Sequence, residues 1–131
     1  YFTHEICFEM DLAKTLLDRG RRRDLDRIID TACGDHAHAN GYSVVTDLGG
    51  HGVGKEFHSE PFVPHVGEPG TGMLLVPGMT LTIEPMINEG SSKVRTDTSD
   101  GWTVRTRDGK LSAQWENTIL ITETGAEVLS S

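Results

Sequence analysis

Residues 49–65 read GGHGVGKEFHSEPFVPH, and four of the chain's 15 glycines and three of its six histidines fall within them. Two mechanisms call for glycine at this density. One is a phosphate cradle: Gly49 to Lys55 has the G-x-x-x-x-G-K spacing and follows a β-branched run, Tyr42 to Leu48. The next residue argues against it. A phosphate loop needs Ser or Thr there to hold magnesium, whereas Glu56 brings a charge that repels phosphate. No long helical pattern follows to offer its N-terminus to an anion. The other mechanism is room for a tightly packed, aimed histidine. His51 stands between glycines, His58 follows seven residues later, and Glu60-Pro61 and His65 lie beyond. Extended or bulged chain of that length can bring two imidazoles into one cleft, which makes His51 a candidate site residue.

Two carboxylates extend the pattern. Over residues 79–85, Met79, Leu81 and Ile83 alternate with Thr80, Thr82 and Glu84, so the two sets point to opposite faces of a strand. Over residues 111–122, Trp115, Ile119 and Ile121 share one face, and Ser112, Gln114, Glu116 and Thr118 the other. Each strand sets an apolar row against a core and raises one glutamate from a polar row. Pro85 after Glu84 and Trp115 before Glu116 suggest packed surroundings. Most strand glutamates simply face solvent, but one histidine with two carboxylates is a donor set suited to manganese, iron, cobalt or zinc.

Further out, the texture changes near residue 42. Before it, Ile6, Met10, Ala13 and Leu17 form one helical face ending at Gly20. A second face comprises Leu25, Ile28, Ala32 and Ala39, with Asn40-Gly41 as its stop. After residue 42, strands are expected over 42–48, 79–83, 102–107 and 111–122, the last two joined as a hairpin by Asp108-Gly109. Segments 64–78 and 89–101 read as loops. The order is helix, helix, strands, which predicts an α+β fold in one domain, with a helical part at 1–41 and a strand-rich part at 42–131.

Composition excludes several functions. Twelve basic against 20 acidic residues give a net charge of −8, unlike the basic face of a nucleic-acid binder. With 36% hydrophobic residues there is material for a core, yet no apolar run nears the roughly 20 residues of a membrane span. The opening YFTHEICFEMD lacks the layout of a signal peptide. Two cysteines, Cys7 and Cys33, are too few for a disulfide framework and point to a reducing cytoplasm.

At the quoted residues the chain resembles the type I (bacterial-type) methionine aminopeptidases. The matching stretches are GGHGVGKEFHSEPFVPH, PGMTLTIEPMIN, DGWTVRTRDGKLSAQWENTILIT and ETGAEVL, and the resemblance runs from about residue 25 to the C-terminus. Prolidases and aminopeptidase P share the fold, but the FHSEP and QWEN contexts resemble the methionine enzyme. The resemblance implies an α+β pita-bread (creatinase/aminopeptidase-like) fold, whose two pseudo-symmetric halves enclose up to two divalent ions; this chain would hold the C-terminal half. It implies metal ligands His51, Glu84 and Glu116, the last of them bridging. His58 and Glu84 take catalytic roles, with His58 also contacting substrate, and Phe57 and Trp102 line the methionine pocket. The implied reaction removes N-terminal methionine from nascent proteins and peptides by a two-metal-activated water.

The family's two remaining ligands are aspartates of the other half, and Asp47, Asp97 and Asp100 do not match their context. Four arrangements stay open at this point. The chain is a piece of a longer enzyme, a short paralogue serving as a binding module, one of two copies that complete each other, or a partner of a second polypeptide carrying the aspartates.

Overall fold

The computed structural model describes residues 33–67 and 73–130. The helical patterns expected over residues 6–20 and 25–32 lie outside the described residues. Within them the helical part is α1, Asp35–Ala39, whose last turn ends as anticipated at Asn40 and at Gly41, with φ +82°. The buried face of this segment is Cys33 and Ala37, one turn apart, and Ala39 is exposed instead of forming the apolar face.

Among the described residues ten strands follow: β1 (Ser43–Val44), β2 (Gly50–Gly52), β3 (Ser59–Val63), β4 (Thr80–Ile83), β5 (Met86–Asn88), β6 (Val94–Thr96), β7 (Val104–Thr106), β8 (Ser112–Gln114), β9 (Asn117–Ile121) and β10 (Ala126–Ser130). They form a five-stranded sheet ordered β10-β9-β4-β2-β3, a three-stranded sheet β1-β5-β8, and the ribbon β6-β7, with every neighbouring pair antiparallel. Among the described residues, no helix is long and apolar enough to cross a membrane.

Side-chain alternation builds the core. Leu81 and Ile83 of β4 lie opposite Ile119 and Asn117 of β9, and Leu81, Ile83, Ile119 and Ile121 are all buried. Val63, Val44, Ile87 and Leu75 join the same cluster. The partner rows of β4 and β9 therefore turn to the other face of the sheet, where the candidate site stands.

Three expectations about strands are corrected. Residues 111–122 form two strands in different sheets, β8 and β9, broken at Trp115-Glu116. The break turns Trp115 outward, 40% exposed, so it does not continue the row of Ile119 and Ile121. The Asp108-Gly109 turn exists, with Gly109 at φ +72°, but its flanking strands do not pair: β7 pairs with β6 and β8 with β5. Asp108 explains this, because one carboxylate oxygen accepts the Lys110 N–H and the other the Ser91 N–H at 2.7 Å. The turn is thereby tied to the chain following β5 and hands the next strand to that neighbour. Finally, the 89–101 loop contains β6.

Candidate metal centre

Sheet register assembles the site. β2 pairs with β4 through Gly52↔Leu81, which sets His51 opposite Thr82. β4 pairs with β9 through Ile83↔Asn117, and one further step sets Glu84 opposite Glu116. Thr82 and Glu84 share a face of β4, so His51, Thr82, Glu84 and Glu116 all rise from the same side of the sheet. Ligand atoms of His51, Glu84 and Glu116 lie within 4.8 Å of one another, and all three residues are partly buried. Among the described residues this is the one cluster of three or more His, Cys, Asp or Glu with such spacing.

The glycines have a more specific use than clearing space for an imidazole. A Cβ on Gly50 would overlap the Thr82 carbonyl, and one on Gly52 the Glu60 carbonyl. Both positions let neighbouring backbone approach β2 closely, which holds His51 in register between β4 and β3. A bulge between β2 and β3 falls at His51/Gly52, where the pairing jumps from Phe62 to Ser59. Bulges of this kind re-aim a side chain, here the imidazole between them.

Local hydrogen bonds orient the donors. The Thr82 hydroxyl accepts the His51 backbone N–H at 2.9 Å and donates to Glu84 Oε1 at 2.9 Å, so one buried side chain serves two members of the cluster. His51 Nδ1 lies 3.0 Å from the Gly52 carbonyl oxygen, which can only accept. The neutral ring therefore carries its proton on Nδ1 and presents a bare Nε2 lone pair, 3.6 Å from Glu84 Oε1. A carbonyl holding the remote nitrogen is the support that metal-binding histidines usually have. Gln114 Nε2 reaches Glu84 Oε2 at 3.5 Å. Burial raises the Glu84 pKa above the ordinary carboxylate value and the Glu116 charge adds to this, against the Thr82 hydrogen bond and the two nearby imidazoles. Such a carboxylate gains from a cation beside it.

An open cleft of about 690 Å³ adjoins the cluster, lined among others by His58, Glu84, Met86, Trp102 and Gln114. The His58 ring stands edge-on to His51 with centroids 4.3 Å apart, and Phe57 packs edge-on against His58 at 4.6 Å. Trp102 approaches His58 at 6.4 Å. The tryptophan is held by its turn: Asp100 accepts the N–H groups of Trp102 and Thr103, and Gly101 adopts φ +66°. Trp102, which lines the cleft, and Phe57, packed on His58 beside it, are 76% and 71% exposed. All six residues singled out from the sequence (His51, Phe57, His58, Glu84, Trp102 and Glu116) thus meet in one region. Asp97 and Asp100 do not join it; each is engaged in its own loop, which holds its carboxyl below the usual range.

Sequence reasoning passed over Thr82, Gln114 and His65. Thr82 and Gln114 were visible as members of the polar rows. His65 is buried and accepts the Glu84 backbone N–H on Nε2 at 3.0 Å, a contact between residues 19 apart that no local pattern announces.

Comparison with known proteins decides the family. Residues 23–123 match metallopeptidase family M24. The chain belongs to that family. This M24 chain is 55% identical over 103 residues to methionine aminopeptidase A of Synechocystis sp., a span covering 78% of this chain and 40% of the relative. It is 54% identical over 95 residues to the methionine aminopeptidase of Clostridium perfringens, covering 72% and 38%. The methionine aminopeptidase structure from Rickettsia prowazekii superposes with a TM-score of 0.82 at 41% identity, over 96% of this chain and 51% of that one. The chain thus spans about 40% of the curated relatives it matches. Its α+β architecture is that of the pita-bread fold, fitting a C-terminal half, and membership in a metallopeptidase family brings divalent-metal use with it.

Proposed function

We propose that this chain supplies His51, Glu84 and Glu116 to a divalent-metal centre that removes N-terminal methionine from peptides and nascent proteins. The observation carrying this reading is the convergence of one bare imidazole nitrogen and two carboxylates from three adjacent strands, within 4.8 Å, beside an open cleft. The donor set suits manganese, iron, cobalt or zinc, one or two ions per complete site. When bound, the metal supplies a Lewis acid and a water acidic enough to attack a peptide carbonyl at neutral pH.

The chain's own residues have distinct tasks in this reading. Glu84, at the edge of the cleft, takes a proton and returns it to the leaving amine. His58 faces the cleft beside His51 and holds the scissile amide or the negative charge developing on it. Phe57 and Trp102 offer apolar surface to the methionine side chain. The resemblance calls for five ligands, so two further carboxylates join from outside this cluster, and a second copy or a second chain is one source. We place the activity in the cytoplasm, where nascent chains emerge.

The test is release of methionine from a Met-Ala-Ser peptide by the chain with manganese or cobalt, with bound metal and molecular mass measured alongside. Turnover that disappears in Glu84→Ala and Glu116→Ala supports the proposal. A chain that takes up no metal and releases no methionine, as a monomer or a dimer, refutes it for this polypeptide.

A further inference from the structure

Glu84 sits where the ladder between β4 and β9 ends. The Thr80 carbonyl accepts from Val53 on the β2 side of β4, so by alternation the Glu84 N–H also faces that side, beyond the registered β2–β4 pair Gly52↔Leu81, where no strand carbonyl meets it, and Pro85 after it carries no N–H. A backbone donor in such a place needs another acceptor. The acceptor is His65 Nε2, at 3.0 Å. His65 is 1% exposed and comes from the far end of the 49–65 stretch, two residues beyond β3, while β2 lies between β3 and β4. Nε2 accepts only if the proton sits on Nδ1, and Nδ1 has no hydrogen-bond partner among the described residues. A buried polar atom left unpaired is costly, so the ring is held there for what its other nitrogen does. With Thr82 bonded to Oε1, Glu84 is pinned at both ends, main chain by His65 and carboxylate by Thr82.

We infer that His65 is a positioning residue of the metal centre, its Nε2 fixing the backbone at Glu84 and so aiming the carboxylate at the metal. The same stretch then delivers a ligand at one end and the anchor of the opposing ligand at the other. This rests on the metal-centre reading, and the experiment separates the two.

Manganese affinity is titrated calorimetrically for the wild-type chain, His65→Gln and His65→Leu, with the visible spectrum of the cobalt-loaded proteins recorded in parallel. Gln places Oε1 as many bonds from Cβ as Nε2 and can accept the same N–H; Leu fills similar volume and accepts nothing. The expected result is about tenfold or greater loss of affinity in the Leu variant, an altered cobalt spectrum, and recovery to within about threefold in the Gln variant. Wild-type affinity in a folded Leu variant overturns the inference and leaves the metal centre standing. A wild-type chain that binds no metal overturns both. Should the Leu variant fail to fold, nitrogen NMR of the wild-type imidazole decides. A bare Nε2 with protonated Nδ1, together with the Gln variant's near-native affinity, supports the inference; a protonated Nε2 overturns it.

Discussion

Burial of His65 makes the stability of this fold depend on pH in a predictable direction. In the unfolded chain the imidazole titrates near its ordinary value of 6.5, whereas burial lowers it to about 4 in the folded protein. Between those values the unfolded chain holds a proton that the folded chain does not, so stability rises with pH across the interval. Above pH 6.5 both states are neutral at His65 and the full stability is present; below about pH 4 both are protonated and the contribution is gone. At about 1.4 kcal/mol per pH unit, the shift from 6.5 to about 4 amounts to about 3 kcal/mol, of which about 2.5 kcal/mol is lost by pH 4.5. The perturbation is His65→Gln, which removes the titration and keeps an acceptor for the Glu84 N–H. Urea unfolding of both proteins with metal chelated, followed by circular dichroism from about pH 8 to about pH 4.5, gives a difference curve. Asp97, Asp100 and Asp108, all lowered by their loop hydrogen bonds, and Glu84, raised by burial, titrate in both proteins and cancel in the difference. The stability of the wild type relative to the Gln variant falls by about 2.5 kcal/mol on acidification to pH 4.5. A difference that stays constant to within about 0.5 kcal/mol would refute the burial argument, since the proton would then bind both states alike.

The remaining predictions concern the sheet and the cleft. Thr82→Val keeps the shape but removes the hydroxyl shared by His51 and Glu84, costing about 1–3 kcal/mol by thermal unfolding and weakening metal binding about tenfold by titration. Gly50→Ala sets a methyl group against the Thr82 carbonyl and lowers stability by about 2 kcal/mol or more, whereas Gly54→Ala, with open space around it, changes stability by under about 1 kcal/mol. Comparison of the two melting temperatures checks this. Trp102→Ala removes a largely exposed side chain, so its melting temperature stays near wild type while KM for a methionyl peptide rises with kcat retained.

Alternation along a strand is a local property, and so the faces of β4 and β9 were legible in the sequence. Leu81 and Ile83 had to lie opposite in direction to Thr82 and Glu84 whatever they packed against, because successive side chains leave a strand on opposite sides. The same reasoning placed Glu116 with Thr118, and the Gly-flanked frame singled out His51. Pairing is not local, and there the sequence was a poor guide. Asp108-Gly109 has the chemistry of a hairpin turn and the chain bends there, yet the Asp108 bond to Ser91 ties it to the chain after β5 and the next strand pairs with β5. Trp115 followed the alternation in sequence and is turned outward because the chain changes sheets beside it. What the sequence by itself determined is therefore the inventory of donors and the side of each strand they occupy. The tertiary structure alone decided which strands lie side by side, and with that the 4.8 Å cluster and the hold of His65 on Glu84 across an intervening strand. The physical reason is one of range: strand pleat acts between neighbours in the chain, while register and burial are set by contacts that only the folded sheet brings together.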